Sequence, residues 1–148
     1  MRIYLDMCCF NRPYDDQSQL RISLESQAKL HIQEMIKDKE LELITSYVLQ
    51  YENSQNRDSS RRKSIEKYVK KYRKENIGVE YDEDVSKIAE AIMESGVKEK
   101  DAYHVASAIV GNCDYFITTD DRLLKYQSDE IKIVNPTEFI RLEVDNNV

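Results

Sequence analysis

"KDAYHVASAIVGNCDYFITTDDRLLK", Lys100 to Lys125, changes its hydrophobic pattern halfway, and that change decides the fold class. The first half places Asp101 four residues after Val97, four before Val105 and seven before Ala108, which is the spacing of one helical face. The second half, Cys113 to Thr119, is the apolar run of a buried strand and stops at Asp120, with a helical turn expected over 121–126. A helix near 98–112 that feeds a strand and then another helix is the repeating unit of a parallel sheet.

The same alternation extends to both ends of the chain. Arg2 to Asp6 reads as a first strand, Leu41 to Thr45 as a second, and Ile131 to Val134 as a last one closed by Asn135-Pro136. Residues 76–81 form a connector with a short strand. Asp16, with Gln19 three residues later, reads as a helix cap, and Leu20, Leu24, Ala28, His31 or Ile32, and Met35 trace an inward stripe to about Lys39. Ser46 caps a short helix through about Asn56, and a basic helix follows Asp58-Ser59-Ser60 within 57–75. Further helices are expected near 84–95 and, with Pro136 and Thr137 at its start, over 137–142. The expected architecture is α/β, one domain over 1–148, with a largely parallel sheet covered on both faces and a frayed tail at 144–148.

Composition bounds the function. With 148 residues, 41% of them hydrophobic, and only three Gly and two Pro, the chain can bury a real core and is neither disordered nor fibrous. It has no apolar run near the roughly 20 residues of a membrane helix, and Met1 leads into a strand without a signal-peptide pattern, so a cytoplasmic protein away from membranes is expected. Cys8, Cys9 and Cys113 lack CxxC spacing and read as small core residues.

The net charge of −6 conceals a basic segment. Arg57 to Glu75 holds nine Lys or Arg against three acids, so this stretch is +6 and the remainder −12. Ile65, Tyr68, Val69 and Tyr72 make one helical stripe, surrounded by Arg61, Arg62, Lys63, Lys67, Lys70, Lys71 and Lys74. That pattern fits either a solvated helix face or an electrostatic footprint for RNA phosphates, with tyrosines available for stacking on bases.

Among 28 Asp and Glu, four point inward. Asp6 ends the first strand inside "IYLDMCCF", where it carries the only charge of Ile3 to Phe10. Glu52 follows Val48 by four and Leu49 by three, Asp101 lies on the apolar face described above, and Asp120 follows the strand Tyr115 to Thr119. Sites in open α/β sheets form beyond the carboxyl ends of the strands, where Asp6 and Asp120 stand. Four anions in one place require either protonation or a divalent cation. The lack of a paired Lys or Arg in those segments favours the cation, and oxygen ligands favour Mg²⁺ or Mn²⁺ for phosphoryl chemistry.

"YLDMCCFNRPYDDQ", "SYVLQYENSQN", "KDAYHVASAIVGNCDYFITTDDRLLK" and "IVNPTEFI" together resemble, over nearly the whole chain, a PIN domain, and more narrowly a VapC-type toxin ribonuclease. The third stretch is the most specific, with Asp-x-x-His-x-Ala on a helix and a strand ending in Thr-x-Asp. The resemblance implies a three-layer α/β/α PIN-like fold and an Mg²⁺- or Mn²⁺-dependent endoribonuclease leaving a 3′-hydroxyl and a 5′-phosphate. It also implies that Asp6, Glu52, Asp101 and Asp120 form the catalytic, metal-binding set, that a small antitoxin is the partner, and that the chain forms a homodimer. Met7 departs from the family, where many relatives carry Thr or Ser after the first Asp, so a hydroxyl contact is missing at that position.

Other residues have two readings each. Asp121 caps the next helical turn or doubles Asp120. Thr118 bonds a metal ligand or is an ordinary strand threonine. His104, three residues after Asp101, bonds neighbouring groups or serves as ligand or proton shuttle, whereas His31 reads as structural. Asn11 and Arg12 meet phosphate or form only the turn into the next helix, and Asn53 and Asn56 orient Glu52 or face water. Three functions follow: a metal-dependent ribonuclease, a receiver-like phosphotransfer domain, and a catalytically silent PIN-like module that binds RNA or antitoxin. The second needs either an Asp two residues after Asp6, where Cys8 stands, or an acidic pair after strand one, and the chain has neither.

Overall fold

Buried apolar runs become the central strands. In the computed structural model, which describes residues 1–143, β1 (Arg2–Leu5) lies in the middle of a five-stranded sheet, with Ile3, Tyr4 and Leu5 out of reach of water. A strand covered on both faces requires such a continuous apolar run rather than alternation. β2 (Glu42–Ser46) and β4 (Tyr115–Ile117) flank it, so that Tyr4 pairs with Ile44 on one side and with Phe116 on the other. β3 (Arg73–Ile77) and β5 (Lys132–Val134) close the edges. The order is β3-β2-β1-β4-β5 and every pairing is parallel.

Helices flank this sheet and connect its strands, as the three-layer expectation requires. α1 (Met7–Asn11) and α2 (Leu20–Lys37) join β1 to β2, and α3 (Tyr47–Ser54) and α4 (Ser59–Tyr72) join β2 to β3. α5 (Asp82–Met93) and α6 (Glu99–Val110) lead to β4, while α7 (Asp121–Leu124) precedes β5 and α8 (Pro136–Glu143) follows it. From β1 the strand order runs one way to β2 and β3 and the other way to β4 and β5, so the β1–β4 boundary is the switch point at which a doubly wound sheet opens a crevice. Among the described residues no helix is long and apolar enough to cross a membrane. The expected frayed tail at 144–148 lies outside the described residues.

Three local expectations are corrected. The basic helix does not run through 57–75: it stops at Tyr72, and Arg73–Ile77 is the edge strand β3, because Ile77 is buried and the backbone pairs in parallel with β2, with a register shift between Leu43 and Ile44. Of the connector with a short strand expected over 76–81, only residues 76 and 77 are strand, as the end of β3, and 79–81 are a 3₁₀ turn. Asp16 does not cap α2; its carboxylate accepts from the Ser18 N–H at 3.0 Å, a local turn that delays the helix to Leu20.

The face of α2 is a fourth correction. Leu20 and Leu24, expected inside, are 74% and 47% exposed, and His31 is exposed too. The helix instead buries Glu25, Ser26, Ala28, Lys29, Ile32 and Ile36. Glu25 takes Arg12 at 2.8–2.9 Å and the Asn135 amide, and a paired buried charge can turn a helix away from its most apolar face. Lys29 lies over the rings of Phe10 and Tyr68 and donates to Gln33 at 2.6 Å.

Burial pushes the Lys29 ammonium down to about 8, whereas in the unfolded chain it titrates near 10.4. Between those values the unfolded state binds more protons, so stability rises with pH across that window. Denaturation midpoints of wild type and Lys29→Met are expected to diverge from about pH 7 to pH 10, in favour of wild type at the alkaline end, by up to about 3 kcal/mol. A constant difference would mean that Lys29 stays charged in the fold.

Candidate active site

Asp6 is the first residue after β1, and its carboxylate has two tasks. One oxygen accepts the Met7 N–H at 2.8 Å and so starts α1; the other accepts the Thr118 hydroxyl at 2.9 Å. This answers the cost of a carboxylate in an apolar run: Asp6 is 6% exposed, and its oxygens are supplied with donors. Its own N–H continues the β1–β4 ladder to the Ile117 carbonyl at 2.9 Å. Met7 turns into the core, and the hydroxyl absent at that position comes from Thr118 on the neighbouring strand end.

Thr118 is fully buried and also accepts the Asp120 N–H at 3.1 Å. Asp120 caps α7 through the Arg122 N–H at 2.9 Å, so the cap expected at Asp121 belongs to its neighbour. Asp121 forms a two-bond ion pair with Arg21 at 2.7 and 2.8 Å, which holds its carboxyl below the usual carboxylate range.

Glu52 is brought in by α3, which Ser46 starts by accepting the Leu49 N–H at 3.1 Å. One oxygen of Glu52 meets His104 Nε2 at 2.7 Å and the other meets Lys100 Nζ at 3.0 Å. Burial raises this carboxyl, but the hydrogen bonds and charges of His104 and Lys100 outweigh it and bring the group below its ordinary value. Lys100 is the paired cation that the sequence was expected to lack.

Behind Glu52 runs a hydrogen-bonded chain. His104 Nδ1 lies 2.7 Å from the Tyr4 hydroxyl, which lies 2.6 Å from Ser46 Oγ. Burial pushes the Tyr4 phenol up, so it remains an O–H donor. With a neutral imidazole the donors run Ser46 O–H to Tyr4, Tyr4 O–H to Nδ1 and Nε2–H to Glu52; with a protonated ring Nδ1–H donates to Tyr4 and Tyr4 O–H to Ser46, and Nε2–H still donates to Glu52. Ligand atoms of Asp6, Glu52 and His104 all lie within 4.8 Å of one another, a spacing compatible with a shared ion. With both ring nitrogens already bonded, His104 orients Glu52 and the oxygens of Asp6 and Glu52 are the available donors.

Asp101 stands differently. Half-buried in the first turn of α6, it receives no hydrogen bond from any other described residue, and it lines a small cleft with Asp120. Burial and the charges of Asp6 and Asp120 push its carboxyl up, against the pull of Lys100 and His104. Hard oxygen donors that repel one another fit a divalent cation such as Mg²⁺ or Mn²⁺.

The remaining expectations divide. Cys9 and Cys113 are buried core residues, but half-buried Cys8 borders the site, with Sγ 3.5 Å from Asp6 and 3.4 Å from Thr118. The Arg12 guanidinium is paired with Glu25 and with Asp15 at 3.2 Å. Arg61 stacks on Tyr14 at 4.7 Å, Arg62 donates to the Asn56 carbonyl at 2.9 Å, and Lys70 pairs with Glu66 at 2.7 Å. Lys71 lies over Tyr72, while Lys63 and Lys67 share the exposed face of α4 with Lys70 and Lys71. Tyr68 and Tyr72 pack inward against each other at 4.8 Å, so they are not stacking surfaces for bases. Asn53 ties α3 to α4 by donating to the Arg62 carbonyl at 3.0 Å.

Sequence reasoning missed Lys100, Tyr4 and Ser46 as members of the site. Lys100 stood beside Asp101 as a possible signal, but the pairing of Tyr4 with His104 spans 100 residues and has no local trace.

Because Asp101 is crowded by like charges, Asp101→Asn in EDTA is expected to unfold at or above the wild-type midpoint. Thr118→Val strands Asp6 and the Asp120 N–H, and is expected to lose about 1–3 kcal/mol. A loss above about 2 kcal/mol in Asp101→Asn would instead assign that carboxylate to a structural hydrogen bond.

Comparison with known proteins places this geometry. VapBC2 from Rickettsia felis, solved bound to a DNA fragment from its promoter, superposes with a TM-score of 0.58 at 12% identity, covering 91% of this chain and 98% of that one. FitAcB from Neisseria gonorrhoeae superposes with a TM-score of 0.55 at 15% identity, covering 90% of this chain and 97% of that one. No curated protein sequence matches at a significant level. The family model for the PIN domain matches residues 3–129, a stretch that contains Asp6, Glu52, Asp101 and Asp120, and the chain belongs to that family.

Proposed function

We propose that the protein is a divalent-metal-dependent endoribonuclease of the VapC type, the toxin of a type II toxin–antitoxin pair, with Asp6, Glu52, Asp101 and Asp120 as its metal-binding acids. The observation that carries this reading is Asp101, left without a donor beside Asp6 and Asp120 at the switch point of the sheet. A fold that surrounds Asp6 and Glu52 with donors and leaves Asp101 exposed to its like-charged neighbours supports a site completed by a cation. Mg²⁺ or Mn²⁺ there supplies positive charge against the phosphodiester and acidifies a water.

The chain's own groups do the positioning. Thr118 and the Met7 N–H fix Asp6, and His104 fixes Glu52. Lys100 offsets part of the negative charge that an incoming phosphate must approach. The exposed lysines of α4 add sequence-independent attraction for RNA, which falls with salt. The likeness of fold to VapBC2 supports a cognate antitoxin as the partner, and cytoplasmic action as a homodimer belongs to the same proposal.

A catalytically silent binding module is favoured by one observation, the Glu52–Lys100 pair, which already gives Glu52 a cation. The two readings separate in one pair of assays. For the nuclease, Mg²⁺ and Mn²⁺ raise the thermal midpoint of wild type but not of Asp101→Asn. Cellular RNA is then cut to 3′-hydroxyl and 5′-phosphate ends, and Asp6→Asn, which can still cap α1, loses about 100-fold or more of that activity. RNA binding that survives EDTA, with no product from any RNA, would overturn the nuclease and establish the module.

A further inference from the structure

Lys98, just before α6, and Arg122, in α7, line the small cleft that contains Asp101 and Asp120, and Val97 and Leu123 complete its wall. Both basic residues are exposed. Neither side chain forms an ion pair or a hydrogen bond with any other described residue, although two carboxylates share the cleft with them. Other cations around the site are committed: Lys100 to Glu52, Arg21 to Asp121 and Arg12 to Glu25. The cleft holds about 160 Å³, well below the roughly 300 Å³ at which small-molecule pockets begin, so it admits a charged group rather than a whole nucleotide.

We propose that Lys98 and Arg122 together hold one backbone phosphate of the RNA, the neighbour of the phosphodiester to be cut. The proposal rests on the nuclease reading and deepens it, because it assigns a substrate contact to the side of the acids away from α4. α4 lies in the connection from β2 to β3 and α7 in the connection from β4 to β5, so the two basic features flank the β1–β4 switch point from opposite sides. An RNA strand that reaches both of them crosses the acids. Charge selects the occupant. The bare cleft is balanced, two carboxylates against two cations; with a divalent ion on the carboxylates it carries an excess of two positive charges and calls for a small anion. Since the ion serves the phosphodiester to be cut, the two cations are left for the phosphate beside it. The Arg122 guanidinium fits two phosphate oxygens at once, and the Lys98 ammonium adds a point charge. A chain of phosphates, unlike a single anion, also uses the lysines of α4.

The test uses a short fluorescein-labelled single-stranded RNA of mixed sequence. Binding is followed by anisotropy with Mg²⁺ in the cleavage-disabled Asp6→Asn background, between about 50 and 200 mM salt. Adding Lys98→Ala or Arg122→Ala is expected to weaken binding about threefold or more at the low-salt end, and to make the slope of log affinity against log salt shallower by about 0.7, the loss of one single-strand phosphate contact. The double variant is expected to lose that slope once and not twice, because both side chains hold one phosphate. Arg122→Lys, which keeps the charge, is expected to keep the slope. Lys37→Ala removes a charge from the end of α2, on the opposite rim of the sheet, and is expected to change nothing. Unaltered slopes in both single variants, or an equal change in Lys37→Ala, would overturn the proposal and leave the two cations as solvated surface charge. With Asp6 intact, an Arg122→Ala protein whose thermal midpoint no longer rises with Mg²⁺ would overturn it too, because the cation would then serve the acids and not the RNA. If the parent protein binds RNA and the cleft variants match it, only this inference fails. If the parent protein binds no RNA, the nuclease reading fails with it.

Discussion

Asp6 sits almost out of water at the end of the middle strand, and a carboxylate there has to receive donors from whatever lies within reach. Besides the weak Cys8 thiol donor, two groups are close enough, and each fixes a piece of the fold. The Met7 N–H can serve only if α1 begins at that residue, and the Thr118 hydroxyl only if β4 ends in register with β1, Leu5 opposite Ile117. Thr118 in turn accepts the Asp120 N–H, which sets the backbone from which Asp120 turns to cap α7. One buried anion therefore places a second one, and the two strand ends cannot slide past each other without stranding both.

Glu52 is held by a different device with the same economy. Ser46 starts the helix that carries Glu52, and the same hydroxyl sits against Tyr4, which bonds the histidine that holds Glu52. The chain crosses β2, β1 and α6 and returns to α3, so Glu52 is positioned by the sheet as well as by its own helix. A fully satisfied buried network of this kind rigidifies what it touches, whereas a partly satisfied one would cost several kcal/mol. Asp101 lies outside it, with no described residue donating to its carboxylate.

The strands and the acids at their ends were legible in the sequence because both depend on local pattern. A buried parallel strand is a short apolar run, and an acid that interrupts or ends one is conspicuous, as at Asp6 and Asp120. Glu52 and Asp101 were legible through helical spacing against Leu49 and Val105. What escaped was whatever depends on a partner far along the chain. The apolar periodicity of α2 favoured Leu20 and Leu24, but Arg12 and Asn135 draw Glu25 inward and rotate the helix. Arg73 to Glu75 looked like the end of a basic helix because edge strands carry charge, and only pairing with β2 reveals the strand. Asp120 and Asp121 are equivalent in sequence, and the position of Arg21, a hundred residues earlier, decides between them.

The inward turn of Tyr68 and Tyr72 shapes the reading of the charge as well. A helix with nine nearby cations and a −12 remainder can attract a polyanion whatever the net charge, because the local field and not the total acts at short range. That helix is held to the protein by Ile65, Tyr68, Val69 and Tyr72, so its aromatic rings are used for packing and its outer face offers only charge. Charge alone does not distinguish a single strand from a duplex, or one base from another.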